Sequence, residues 1–139
     1  MFYNVFVKFF LRTPLHGLFS KTTMLLTLTG RKSGRKLTLP VSYYEADGAL
    51  WTISRRNRTW WRNLKGGADV TLRLRGHDRP AHGEAILDGE AVAALLRDYL
   101  SRFPKVARYI FIRMDDGAPN EADLQEQAAQ RLFVKFTLK

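Results

Sequence analysis

The sequence predicts a mainly β protein, a small barrel of about six or seven short antiparallel strands with appended helices, and three observations lead there. A chain of 139 residues falls in the range that one hydrophobic core can organise, and 45% apolar content with 12% aromatics supplies the filling. Between residues 24 and 87 the apolar residues come in short, strand-length runs punctuated by glycine. Strands first, then a helix, then a closing strand suits a small barrel better than the regular strand–helix alternation of a doubly wound parallel sheet. The chain therefore reads as one domain over residues 1–139, with a helical segment at 1–19, barrel strands at 24–87, and helices plus a closing strand at 88–139.

At the N-terminus Phe2, Phe6, Phe9 and Phe10 recur at helical spacing with Asn4, Lys8 and Arg12 elsewhere, the pattern of an amphipathic helix that Pro14 and Gly17 break. Packing within the fold or a dimer is favoured for this stripe over a place at a membrane interface. Strands are expected at residues 24–29, 37–44 and 49–54, with Asp47-Gly48 as the hairpin signal joining the last two. A short helix follows at 57–65, ending at Gly66-Gly67. Val70, Leu72 and Leu74 alternate with Thr71, Arg73 and Arg75, so 69–75 is a half-buried strand, and a tight turn through Gly76 leads into another at 79–87. Asp88 is the N-cap of a covering helix at about 89–103, whose stripe includes Val92, Leu95, Leu96, Tyr99 and Leu100 and which Pro104 closes. A further strand is expected at 109–114, a weak helix capped by Asn120 through about Gln130, and a closing strand at 132–138.

Charge divides the chain. Residues 1–80 carry 15 Lys and Arg against 4 Asp and Glu, whereas residues 81–139 carry 8 against 9, so the overall +10 resides in the front half. A phosphorylated ligand, a polyanion or an anionic membrane surface suits that front, although a basic face can also serve solubility alone. With no cysteine, disulfides, thiolate metal sites and thiol nucleophiles are excluded together, which fits a reducing, cytoplasmic setting. No apolar run is long enough to span a bilayer, and the N-terminus lacks a basic leader and a small-residue cleavage site. His16, His77 and His82 have no tight ligand spacing, and Asp115-Asp116-Gly117 reads as a turn, so no metal is expected.

Two segments carry chemistry. In the first, a strand delivers the chain into Gly30-Arg31-Lys32-Ser33-Gly34-Arg35-Lys36, where four cations and a hydroxyl crowd a glycine-bounded turn. Backbone N–H groups and basic side chains of such a turn can form a concave phosphate site, although the spacing is not that of a Walker loop and a solvated basic hairpin is the plain alternative. In the second, Trp60-Trp61-Arg62-Asn63 sets two indoles side by side. Successive helical positions lie about 100° apart, so one indole is expected to border a cleft, as a flat wall for a planar ring whose polar edge Asn63 could meet. Core packing of one ring, with the other over the barrel mouth, is the alternative. Ser54, Tyr43, Tyr44 and Tyr109 are candidate hydroxyl donors to an acceptor oxygen that gains negative charge, with ordinary packing the alternative for each tyrosine.

Thr29-Gly30-Arg31-Lys32-Ser33-Gly34, then Pro40, a Tyr-rich strand, Asp47-Gly48, Ser54, and Trp60-Trp61-Arg62-Asn63-Leu64 together resemble the deazaflavin-dependent nitroreductase and quinone reductase family. The resemblance implies a split β-barrel related to the flavin-binding split barrels. It further implies hydride transfer from reduced coenzyme F420, with FMN as the alternative cofactor, to a quinone, nitroaromatic or similar electron-poor small molecule. Carried over residue by residue, it assigns the cofactor's phosphate and charged tail to Arg31, Lys32, Ser33 and Gly34, with Arg35 and Lys36 beside them. Pro40, Ser54, Trp60 and Asn63 take positions that line or support the ring site. Of the hydroxyls read from the residues themselves, Ser54, Tyr44 and Tyr109 are expected to serve the reaction. Two departures stand out: Leu37 replaces a basic residue often found three before the proline, and the connection from Ser54 to Trp60 is short.

Other functions remain distinguishable. The same barrel could be a noncatalytic carrier or sensor of flavin, tetrapyrrole or lipid. Basic and aromatic residues interleave at 55–62, but no oligonucleotide-binding signature accompanies them, which disfavours nucleic acid. Peripheral membrane contact through residues 2–11, and a homodimer, stay open.

Overall fold

Period-two alternation produces the sheet that it predicts. In β1 (Thr23–Thr29) Met24, Leu26 and Leu28 are buried on one face, while Thr27 and Thr29 turn to the other, where Leu25 is buried as well. A computed structural model describes residues 22–139 of the chain, so the aromatic segment at 2–11, with the membrane contact proposed for it, lies outside the described residues. Two compact units share these residues: 22–53 with 60–85 and 134–139, and 54–59 with 86–133.

The first unit is built on a curled seven-stranded sheet in the order β2-β1-β5-β6-β9-β4-β3. Its members are β1, β2 (Lys36–Ser42), β3 (Tyr44–Ala46), β4 (Ala49–Arg55), β5 (Ala68–Leu74), β6 (His77–Ile86) and β9 (Arg131–Leu138). β1 pairs antiparallel with both β2 and β5, setting Thr27 opposite Thr38 on one side and Thr71 on the other. Curling brings the ends of the sheet together: the Thr52 hydroxyl on β4 donates to the Ser42 carbonyl at the end of β2 at 2.8 Å. One face buries Met24, Leu26, Leu28, Leu72 and Phe136 with Leu64. Asp47-Gly48, Arg75-Gly76 and Asp116-Gly117 all have positive φ at both positions, the two-residue turn whose twist matches paired strands.

In the second unit α1 (Gly89–Arg102) begins where Asp88 accepts from the Ala91 N–H, and buries Val92, Ala93, Leu96 and Leu100. α2 (Glu121–Gln130) is capped in the same way by Asn120, and β7 (Met114–Asp115) and β8 (Ala118–Pro119) form a two-residue hairpin between the helices.

Three expectations are corrected. The strand expected at residues 109–114 is instead a 3₁₀ segment, Pro104–Ile110, followed by Phe111 in the left-handed region and only the short β7. Pro104 sets the opening φ of that segment, and Ala107 and Ile110 are buried at a spacing of three, so packing overrides the strand propensity of Tyr-Ile-Phe-Ile. The second strand stops at Ser42: the Tyr43 N–H donates to the Thr22 carbonyl at 2.9 Å and the chain bends before Tyr44 opens β3. Tyr43 and Tyr44 are therefore not successive members of one strand. The helix expected at 57–65 is a 3₁₀ segment over Trp60–Leu64, in which both indoles are buried, 7% exposed each, rather than one bordering a cleft. The chain here packs Leu64 fully beneath it, and a short 3₁₀ turn held on the sheet can sink two adjacent rings where a longer surface helix could not.

Candidate cofactor site

The strand β1 ends at Gly30, and the turn that follows is closed by its own backbone. Gly30 N–H donates to the Arg35 carbonyl at 2.9 Å and Gly34 N–H to the Gly30 carbonyl at 2.8 Å. Ser33 Oγ accepts from the Arg35 N–H at 3.2 Å, and a side chain at Gly30 would bring its Cβ within 2.7 Å of that same oxygen. With Gly34 at φ +70, both glycines are what a turn this tight requires.

What holds the turn in place is the second chemical segment. Arg31 N–H donates to Asn63 Oδ1 at 3.0 Å, and the Arg31 guanidinium reaches the carbonyls of Lys65 and Gly67, the latter at 3.3 Å. Asn63 Nδ2 in turn donates to the Trp60 carbonyl at 3.0 Å. The basic turn and the Trp-Trp-Arg-Asn segment, 32 residues apart in sequence, are thus bonded to one another. Arg31 and Asn63, expected to contact the ligand, use these groups on the brace. Lys32 and Arg35 are exposed, and Lys36 Nζ donates to Thr29 Oγ1 at 3.2 Å. Residues 22–44 contain no Asp or Glu, so no carboxylate of that stretch neutralises these cations.

A groove of about 290 Å³ opens on the sheet face beside Lys36, lined with Leu25, Thr27, Thr38, Thr71, Arg73 and Asp78. Thr27 and Thr38 hydroxyls are 2.9 Å apart, Arg73 Nη1 pairs with Asp78 at 3.0 Å, and Arg73 Nε is buried without a hydrogen-bond partner. The sequence showed Thr71 and Arg73 only as the polar half of an alternating strand; their meeting with Thr27 and Thr38 depends on pairing register. Farther along the same face Lys139 Nζ lies 2.7 Å from Asp69 and, by its hydrogen bond, holds that carboxyl below the ordinary range.

The remaining expected site residues are dispersed. Pro40 is half-buried on β2 opposite Leu25, and Tyr44 is half-buried on β3 opposite Trp51. Trp61 Nε1 is buried with no hydrogen-bond partner, and the Arg62 guanidinium lies over the Trp61 ring at 5.7 Å. In the second unit Ser54 Oγ makes only a long 3.4 Å contact to the Arg55 carbonyl. Tyr109 is 66% exposed, with the Arg108 guanidinium donating to its Oη at 2.7 Å. Sequence reasoning passed over Arg56, which donates to the carbonyls of Arg131, Leu87 and Ala128 and so ties three segments of that unit. Nothing but its place in a basic run could have marked it.

The residues present fit an anionic, phosphorylated group: exposed cations on a braced glycine turn, with no Asp or Glu between residues 22 and 44, beside hydroxyls on a strand face. Among the described residues no cluster of His, Cys, Asp and Glu suits a metal ion.

Comparison with known proteins gives this geometry a context. Residues 12–112 match the family described as F420H(2)-dependent quinone reductase. A comparison with curated proteins returns no match. Among solved structures, a conserved hypothetical protein of Mycobacterium tuberculosis superposes with a TM-score of 0.53 at 15% identity, covering 88% of this chain and 76% of that one. An FAD and heme binding protein of Mycobacterium smegmatis gives 0.51 at 17% identity, covering 92% of this chain and 66% of that one. The flavocytochrome Anf3 of Azotobacter vinelandii gives 0.55 at 11% identity, covering 89% and 62%. At these identities the likeness is one of fold, the split-barrel arrangement.

Proposed function

The chain belongs to the F420H(2)-dependent quinone reductase family, and from that premise we propose that it passes a hydride from reduced coenzyme F420 to a quinone, nitroaromatic or similar electron-poor acceptor. Family membership makes it an F420-dependent oxidoreductase; the acceptor and the residue roles are our assignment. The observation that carries the reading is the bonded union of the basic turn with the Trp60–Leu64 segment through Arg31 and Asn63.

When bound, the reduced deazaflavin supplies the hydride and the difficult chemistry. Lys32, Arg35 and Lys36 attract and hold the phosphate and charged tail, or the phosphate of FMN in the alternative. Arg31 and Asn63 keep those cations at a constant place by bracing the turn, Ser33 and Gly34 shape it, and Pro40 stiffens the adjoining strand. Trp60 supports the segment from within the core. Tyr44, in the same unit as the basic turn, is the hydroxyl assigned to donate to the acceptor oxygen on which charge develops.

Titration of the purified chain with F420 at low and raised ionic strength tests this. Lys32→Ala with Arg35→Ala is expected to weaken binding by about tenfold or more and to flatten its salt dependence, since charge-assisted contacts are lost. Reoxidation of the reduced coenzyme by a menadione-type quinone reads the reaction. Absence of binding at low ionic strength overturns the reading, and tight retention of a ligand without turnover replaces it with a carrier.

A further inference from the structure

Residues 102–113 form a basic, aromatic island in the half of the chain that is otherwise slightly acidic. They hold Arg102, Lys105, Arg108 and Arg113, and no Asp or Glu. Arg102 pairs with Asp98 at 2.8 Å and Arg113 with Asp123 at 2.8 Å. Lys105 and Arg108 have no carboxylate within salt-bridge reach among the described residues. Three rings stand out from the same stretch: Phe103 is 39% exposed, Tyr109 66% and Phe111 65%. Phe111 also sits at φ 59, ψ 38, a conformation that costs a residue bearing a Cβ and that folding alone gives no reason to keep with an exposed phenyl ring. The backbone beneath is anchored, with Ala107, Ile110 and Ile112 buried and the Ile112 N–H donating to the Ala107 carbonyl at 3.1 Å. The rings are displayed from an anchored turn.

We propose that this turn docks the protein on an anionic lipid surface, the rings of Phe103, Tyr109 and Phe111 entering the headgroup boundary while Lys105 and Arg108 meet lipid phosphates. Charge complementarity selects this occupant, because interfacial segments combine aromatic rings with cations in this way. An open groove of about 900 Å³ adjoins the turn and includes Lys105, Arg108 and Phe111 in its wall, but neither Phe103 nor Tyr109. A small molecule in that groove would leave Phe103 and Tyr109 in water. The inference stands apart from the assignment of F420 to the basic turn, and its readout involves no coenzyme.

Co-sedimentation of the full chain with vesicles of phosphatidylcholine, alone or mixed with phosphatidylglycerol, tests it. Binding is expected to the anionic vesicles, to weaken with salt, and to fall by about tenfold or more in Lys105→Glu with Arg108→Glu. Tyr109→Ser with Phe111→Gly is expected to lose it too, and Phe111→Gly suits the local backbone, so a folded variant remains for the comparison. Wild-type protein left in the supernatant at low ionic strength overturns the proposal. So does undiminished binding of both variants, which would move the contact elsewhere on the chain. A concentration-dependent dimer abolished by Phe111→Gly, without vesicle binding, would assign the surface to a second copy instead.

Discussion

Two cationic turns, one in each unit, put similar residues to different use. At residues 30–36 the chain closes on itself through Gly30 and Gly34, and one arginine of the turn is directed inward, to the carbonyls of Lys65 and Gly67. The cations that remain, Lys32, Arg35 and Lys36, are exposed within one short turn, which suits a phosphate. At residues 102–113 the anchoring is done by buried Ala107, Ile110 and Ile112, and exposed rings alternate with the cations. That arrangement suits an extended, half-apolar surface. What separates the two is the company the cations keep: a closed glycine turn, hydroxyls and a brace in one, aromatic area and a left-handed phenylalanine in the other.

The brace is the part of this contrast most easily broken. Leu64, wholly buried under the Trp60–Leu64 segment, supports the platform to which Arg31 is tied. Leu64→Ala is expected to cost about 2–5 kcal/mol in urea unfolding and to weaken F420 binding along with it. Arg31→Ala removes the fork itself, with an expected loss of about 1–2 kcal/mol, discounted because the side chain is exposed. Arg31→Lys sharpens the point: it keeps the charge but not the fork, so a positioning role predicts that it fails to restore affinity, whereas a direct phosphate contact predicts that it largely does.

On the other turn the expected sign is reversed. Phe111→Gly relieves the left-handed backbone and uncovers little, so thermal unfolding should show stability unchanged or raised by at most about 1 kcal/mol. A loss of several kcal/mol would show that the ring is a packing element and would erase the distinction between the turns. The smallest effect concerns pH. Asp123 accepts from Arg113 Nε and from the Arg113 N–H, and these bonds hold its carboxyl below the ordinary range. Because the folded-state value is depressed, the stability that it contributes is fully present above the unfolded carboxylate pKa of about 4. It is lost as pH falls through the lower folded value. The difference in melting temperature between wild type and Asp123→Asn should therefore be constant from neutral pH down to about 4 and shrink in stronger acid.

Much of the sheet could be read from the chain because alternation and turn chemistry are local. Met24, Leu26 and Leu28 announce a strand, and Asp47-Gly48 a hairpin. Asp88 and Asn120 mark the helix starts where the helices begin. The segment after Pro104 misled because Tyr-Ile-Phe-Ile has strand propensity, while the burial that decided its form comes from elsewhere in the unit. For the candidate site, the basic turn and the indole segment were both visible as sequences. Their junction was not, since a hydrogen bond from Arg31 to Asn63 crosses 32 residues and follows from how β1 and β5 pair.

By itself, then, the sequence determined most of the barrel strands and the starts of the two capped helices, where the positive charge is concentrated, and that thiol chemistry is absent. Only the tertiary structure decided which cations face outward and which brace the fold, that Trp60 and Trp61 are both buried, and that Phe111 is held left-handed with its ring in water. The physical reason is that propensity, capping and charge are properties of neighbours along the chain. Burial and hydrogen-bond partnership are settled between residues that meet only after the sheet has curled.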